Sequence, residues 1–129
     1  TFKVEPMSLG DQRTVLVIDD DESVRLALRK GLERVGYRVD EAWSGRSAMA
    51  SITGGRIPDA IITDLRMLDG SGYWLLDQFS RYFPALMTRT IIVTGDTNRS
   101  GAFERGCPVL VKPIDFRELV ESLHRAVEG

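Results

Sequence analysis

The run Asp59-Ala60-Ile61-Ile62-Thr63-Asp64-Leu65-Arg66-Met67, set between Pro58 and Asp69-Gly70-Ser71-Gly72, decides how the chain is read. Its apolar centre lacks the polar alternation of a half-exposed strand. It therefore reads as a parallel strand covered on both faces, delivering Asp64 to a sheet edge. Three other apolar runs stop in the same way: Val15 to Ile18 on Asp19-Asp20-Asp21, Thr90 to Val93 on Thr94, and Val109 to Val111 on Lys112. Four strand ends would then bring carboxylates, a hydroxyl and an ammonium to one side of a sheet.

Outward from that centre, helical periods fill the gaps between the runs. Val24, Ala27, Leu28, Gly31 and Val35 recur at helical spacing after an Asp20 or Asp21 cap, and Gly36 stops them. Tyr37 to Ala42 reads as a strand and Ser44-Gly45 to about Thr53 as a shorter helix. Leu75, Leu76, Phe79, Tyr82 and Phe83 make an apolar helical stripe closed by Pro84. The stretch from Gly95 to Arg105 is poorly helical. A last helix is capped by Asp115 with Glu118 three residues on, and it buries Phe116, Leu119, Val120, Leu123 and Val127. Each crossover is long enough to hold a helix, so the expected fold class is α/β, a doubly wound five-stranded parallel sheet. Of the two usual orders, five strands suit 2-1-3-4-5, whose crevice lies where strands 1 and 3 diverge at their carboxyl ends. Asp19 and Asp20 would then lie beside Asp64, flanked by Thr94 and Lys112.

Composition narrows the classes. The 129 residues are 43% hydrophobic and 28% charged, an ordinary balance for one domain with one core. A net charge of −2 without a basic stripe argues against direct nucleic-acid binding. No apolar run reaches the ~18 residues a membrane span needs and no secretory leader precedes the first strand, so no membrane contact and a cytoplasmic location are expected. The single cysteine, Cys107, has no disulfide partner and reads as a small buried side chain. Residues 1–13 contain Pro6 and Gly10 with no sustained period and read as a linker or lead-in; residues 14–127 read as the domain. Trp43, Tyr73 and Trp74 read as partly packed, and His124 as a surface residue.

Clustered carboxylates repel one another and should hold either a proton or a cation; oxygen ligands on an open rim suit Mg²⁺. Asp64 could then attack phosphorus, with Mg²⁺, Lys112 and Thr94 sharing the phosphoryl oxygens. Taken singly, these residues have plainer readings: helix cap, turn, strand exit. Their joint placement at four strand ends favours the chemical one.

The acid pair in Val17-Ile18-Asp19-Asp20, Asp64 followed by Leu65-Arg66-Met67, Gly72 eight residues on, Thr94-Gly95 and Lys112-Pro113 together resemble the receiver domain of two-component response regulators, of flavodoxin-like fold. The resemblance implies that Asp64 accepts phosphate from a phosphohistidine of a histidine kinase or histidine phosphotransfer domain. It further implies that Asp20, Asp64 and the Arg66 backbone carbonyl bind Mg²⁺ directly, that Asp19 reaches the metal through water, and that Thr94 and Lys112 contact the phosphoryl group. It leaves room for a weak homodimer. Such a domain assists its own phosphorylation and dephosphorylation without being an enzyme in the usual sense. The sequence departs from the family pattern at Leu68, where proline is usual and whose absence should loosen the loop, and at Val109, where an aromatic is usual. It departs again in a Thr94–Lys112 interval shortened by about four residues. Thr94-Gly95-Asp96-Thr97 with Cys107-Pro108-Val109-Leu110-Val111-Lys112-Pro113 is most similar to receivers at the carboxyl end of hybrid sensor histidine kinases. With no aromatic at 109, the response to phosphate is expected in the stretch Gly95 to Gly106. The alternatives are a Mg²⁺-dependent aspartyl-phosphate phosphohydrolase, which usually needs a second acid where Arg66 stands, and a flavin carrier, whose phosphate three aspartates would repel.

Overall fold

The protein is described by a computed structural model over residues 12–95 and 103–128. In chain order its elements are β1 (Thr14–Ile18), α1 (Glu22–Arg34), β2 (Arg38–Ala42), α2 (Gly45–Thr53), β3 (Ala60–Thr63), α3 (Gly72–Tyr82), α4 (Pro84–Met87), β4 (Thr90–Thr94), β5 (Phe103–Glu104), β6 (Cys107–Val111) and α5 (Phe116–Glu128). The sheet runs β2-β1-β3-β4-β6-β5. Its first five members are parallel, which is the expected 2-1-3-4-5 order of a flavodoxin-like receiver fold with β6 in the last place.

Register assigns each strand residue to one of two layers. Leu16 and Ile18 of β1, Ile61 of β3, Ile92 of β4 and Val109 of β6 share a core with Ala48, Met49 and Ile52 of α2 and Leu75, Leu76 and Phe79 of α3. The alternate residues Val15, Val17, Ile62, Ile91, Val93 and Leu110 pack on Leu28 and Leu32 of α1 and Leu119, Val120 and Leu123 of α5. Both faces of the central strands are therefore covered, which is why Ile61-Ile62 and Ile91-Ile92 show no polar alternation. Each such side chain contributes roughly 1.5–3 kcal/mol on burial.

Three helices start on the expected residues, Asp21, Ser44 and Asp115, and Ser71 adds a further cap. Asp21 accepts from Ser23 N to start α1, Ser44 and Ser47 form a reciprocal box on α2, and Ser71 accepts from Trp74 N on α3. Asp115 Oδ1 accepts from Arg117 N and Glu118 N at the head of α5. Gly36, at φ +102°, follows α1 as a stop.

Four details differ from expectation. Pro84 ends the α3 stripe but also opens α4, because a proline at the first helical position forfeits no intrahelical hydrogen bond. The last parallel strand begins at Cys107, two residues early, because it has an antiparallel partner: β5 pairs Phe103 with Pro108 and Glu104 with Cys107. The connection is the two-residue turn Arg105-Gly106, both at positive φ (51° and 87°), which suits a tight hairpin. Of the stretch Gly95 to Gly106 expected to respond to phosphate, residues 96–102 lie outside the described residues. Trp43 is more than half exposed instead of partly packed, while Tyr73 and Trp74 are half-buried as expected. His124 is half-buried, its ring edge-on to Tyr37 at 6.1 Å. Cys107 is fully buried, its thiol pushed up to about 11 by burial.

Candidate functional site

The parallel ladder carries one step beyond each strand and so fixes the backbone of the site. Asp19 N donates to Ala42 O, Asp64 N to Ile18 O and Lys112 N to Thr94 O. Asp19, Asp64, Thr94 and Lys112 thereby leave one end of the sheet side by side, as the topology requires.

Lys112 Nζ lies 2.9 Å from Asp19 Oδ2 and 2.9 Å from Asp64 Oδ2. The second oxygen of each carboxylate is held by backbone: Asp19 Oδ1 accepts from Asp21 N at 2.9 Å, and Asp64 Oδ1 from Leu65 N at 2.7 Å and more weakly from Arg66 N at 3.4 Å. Both acids are buried, at 4% and 9% exposure, and burying a carboxylate is costly unless it is paired and hydrogen-bonded, as both are here. Burial pushes the Lys112 pKa down, but its hydrogen bonds to Asp19 and Asp64 and their charges outweigh that and raise it above 10.5. The ammonium is therefore fully charged at neutral pH and bridges the two acids.

Asp20 is placed differently. It is exposed and faces a groove of about 380 Å³ lined by Leu65, Arg66, Met67, Leu68, Ser71 and Tyr73. The structure thus joins Asp19, Asp64 and Lys112 directly, sets Thr94 against Lys112 through the backbone, and leaves Asp20 on the rim beside Arg66. Among the described residues, no three His, Cys, Asp or Glu side chains are gathered closely enough to form a ready-made metal cage. The donor set still fits a hard cation: it is all oxygen, it opens on a solvent groove, and Mg²⁺ keeps several waters and needs only a few protein oxygens.

Two supporting contacts carry no obvious sequence signal. Arg25 Nη1 donates to Asp19 O at 2.6 Å, while its Nε pairs with Glu41 at 3.2 Å. Glu41 faces α1 because β2 lies in register with β1, Val17 opposite Glu41, and nothing local announces that pairing. Gly72, in sequence only one member of a motif, has a structural role as well: its N–H donates to Leu65 O, and a Cβ there would lie 2.3 Å from Asp64 O. Only a glycine lets α3 start that close to the end of β3. In the loop after Asp64, Leu68 is 83% exposed, and the next two residues, Asp69 and Gly70, are tied to α2.

The response regulator receiver domain family matches residues 15–124. The DNA-binding transcriptional regulator NtrC of Azospirillum brasilense is 32% identical over 122 residues, which is 90% of this chain and 24% of that protein. The chain thus spans about a quarter of the length of such curated relatives. The response regulator protein TrrA of Thermotoga maritima, solved with Mg²⁺-BeF, superposes with a TM-score of 0.79 at 24% identity over 89% of this chain and 99% of its own. A sensor protein from Polaromonas sp. JS666 gives 0.79 at 25% identity over 90% and 96%. With the match running from the second residue of β1 into α5, and with solved proteins that fold the same way, this chain belongs to the response regulator receiver domain family, a phosphoacceptor module of two-component signalling.

Proposed function

We propose that Asp64 is the phosphoacceptor and that Asp19, Asp20, Thr94 and Lys112 serve it. The observation that carries this reading is the Lys112 ammonium held at 2.9 Å from both Asp19 and Asp64 at the carboxyl edge of the sheet. A carboxylate oxygen of Asp64 forms the new bond to phosphorus as the bond from phosphorus to the donor's histidine nitrogen breaks. That nitrogen keeps the electron pair. Lys112 turns from carboxylate to phosphoryl oxygen, and the Thr94 hydroxyl donates to a second, so that charge is met where it develops. Asp20, Asp64 and the Arg66 backbone carbonyl would hold Mg²⁺, with Asp19 acting on it through water, and the bound ion would supply positive charge where the phosphoryl group develops negative charge. The same groups assist hydrolysis of the acyl phosphate. An aspartyl-phosphate phosphohydrolase is disfavoured, because Arg66 occupies the place of its second acid.

The donor is a histidine kinase or a histidine phosphotransfer domain, and residues 14–127 form the domain that receives the phosphate, with 1–13 leading into it. The domain works in the cytoplasm, touches neither nucleic acid nor membrane itself, and leaves room for a weak homodimer. Among the described residues, no helix is long and apolar enough to cross a membrane. The motif around Thr94 and Cys107 to Pro113, with the likeness to a sensor protein, favours the carboxyl-terminal receiver of a hybrid kinase. The likeness to NtrC favours a DNA-binding regulator instead. Sequencing the parent gene on both sides separates them.

The phosphoacceptor is tested by incubating the protein with Mg²⁺ and a small phosphodonor, then trapping the acyl phosphate with borohydride and locating it by mass spectrometry. Label is expected on Asp64 and absent from Asp64→Asn. Undiminished label in that variant would refute the assignment.

A further inference from the structure

The first amides of a helix have no partner within it. In α2, two of them are taken by the loop that follows Asp64: Gly45 N donates to Gly70 O at 2.8 Å and Arg46 N to Asp69 O at 3.1 Å. Side chains reinforce the contact. Ser44 Oγ lies 3.5 Å from Asp69 Oδ2, Arg46 Nε lies 3.5 Å from Asp69 Oδ1, and the Arg46 guanidinium sits 5.0 Å over the Trp74 ring. Asp69 and Gly70 hold φ of +56° and +98°. The fit is backbone against backbone: a Cβ on Gly45 would come within 2.4 Å of Gly70 O, and one on Gly70 within 2.7 Å of Arg46 N. At the other end of the loop, Gly72 N holds Leu65 O. Residues 66–68 are thus an arch between two fixed ends, with Arg66 and Leu68 facing the same groove as Asp20.

We propose that the amino end of α2 is a positioning latch for this arch, with Gly45 and Asp69 as positioning residues that set the Arg66 carbonyl for Mg²⁺. The latch does by hydrogen bonding what no ring at Leu68 can do by covalent stiffness. It acts on a ligand from outside the ligand set, as outer-shell contacts do. It rests on the reading of the site as a Mg²⁺ centre.

The test combines calorimetric Mg²⁺ titration with amide hydrogen exchange of residues 65–71 in metal-free protein, for wild type, Gly45→Ala, Asp69→Asn and Ile52→Val. Gly45→Ala is expected to weaken Mg²⁺ binding by about tenfold, the lower end of outer-shell effects, and to speed exchange at Arg66 to Leu68. Asp69→Asn keeps a residue that tolerates positive φ; it is expected to shift both readouts the same way by a smaller factor, and it carries the test if Gly45→Ala does not fold. Ile52→Val thins the core under α2 without touching the latch. It should lower the melting temperature and leave Mg²⁺ affinity alone. Wild-type affinity in folded Gly45→Ala and Asp69→Asn would overturn the latch, as would an equal loss in Ile52→Val. A wild type that binds no Mg²⁺ would instead overturn the reading of the site, and with it the metal role of the latch, whatever the exchange data show.

Discussion

Lys112→Ala should expose how the acid cluster is held when no metal is present. The ammonium lies 2.9 Å from one oxygen of each acid, so those two oxygens stand no more than about 6 Å apart. At an effective dielectric of about 20, two such charges repel by roughly 3 kcal/mol once the cation is gone. Two charge-assisted hydrogen bonds go with it, although water can replace part of them because the lysine side chain is 26% exposed. We therefore expect a net destabilisation of about 2–4 kcal/mol, at the lower end of what breaking a buried ion pair costs. For a domain of this size that is a fall in melting temperature of roughly 8–15 °C. On the proposed reading of the site, Mg²⁺ would bring positive charge to the same acids, so the variant should gain more from added Mg²⁺ than the wild type does. Its phosphorylation should be slower nonetheless, since a phosphoryl oxygen loses its donor. The sign of the pH dependence follows from the raised pKa. The lysine's contribution is present in full below 10.5 and is lost as pH rises through the higher folded value, so the two proteins should converge in alkali. Thermal melts with and without Mg²⁺, at neutral and alkaline pH, supply every quantity. A metal-free melting temperature within about 3 °C of wild type, with the same Mg²⁺ response, would refute the reasoning.

Other perturbations test the supports of the site. Gly72→Ala places a Cβ 2.3 Å from Asp64 O and should cost about 1–3 kcal/mol by overpacking; urea unfolding reads the loss, and an unchanged midpoint would show that α3 yields freely. Burial, helped by the charge of Glu128 and opposed by Arg13, pushes the Tyr37 phenol from 10.0 up to about 12. The folded state keeps that proton longer, so roughly 2–3 kcal/mol of stability should disappear between those pH values. Tyr37→Phe should flatten the alkaline limb, and a parallel decline in both proteins would contradict the assignment. Val109→Tyr puts a ring into a position only 4% exposed and walled by the α2 and α3 core, so it should destabilise by about 1–3 kcal/mol. A variant as stable as wild type would mean that the ring finds an outward path.

Much of this was legible in the chain because it is local. Apolar runs without alternation marked the strands, helical spacing marked the layers above and below them, and Asp21, Ser44 and Asp115 marked helix starts through side chains that reach amides two or three residues on, whereas the Ser71 cap of α3 emerged only in the structure. The rule that a parallel sheet opens its crevice at the carboxyl ends of its strands then placed Asp19, Asp64, Thr94 and Lys112 together. Tertiary structure decided what local chemistry does not encode. Lys112 spans Asp19 and Asp64 from 93 and 48 residues away, and Asp20, beside Asp19 in sequence, turns out to the groove because successive residues leave a strand end in opposite directions. The Arg25–Glu41 pair depends on the register of β2 against β1. The β5 hairpin depends on β6 having an edge for Phe103 and Glu104 to join. The hold of α2 on the loop after Asp64 is made by the amides of Gly45 and Arg46, groups that every residue but proline carries, and so only the packing of α2 against that loop could select them.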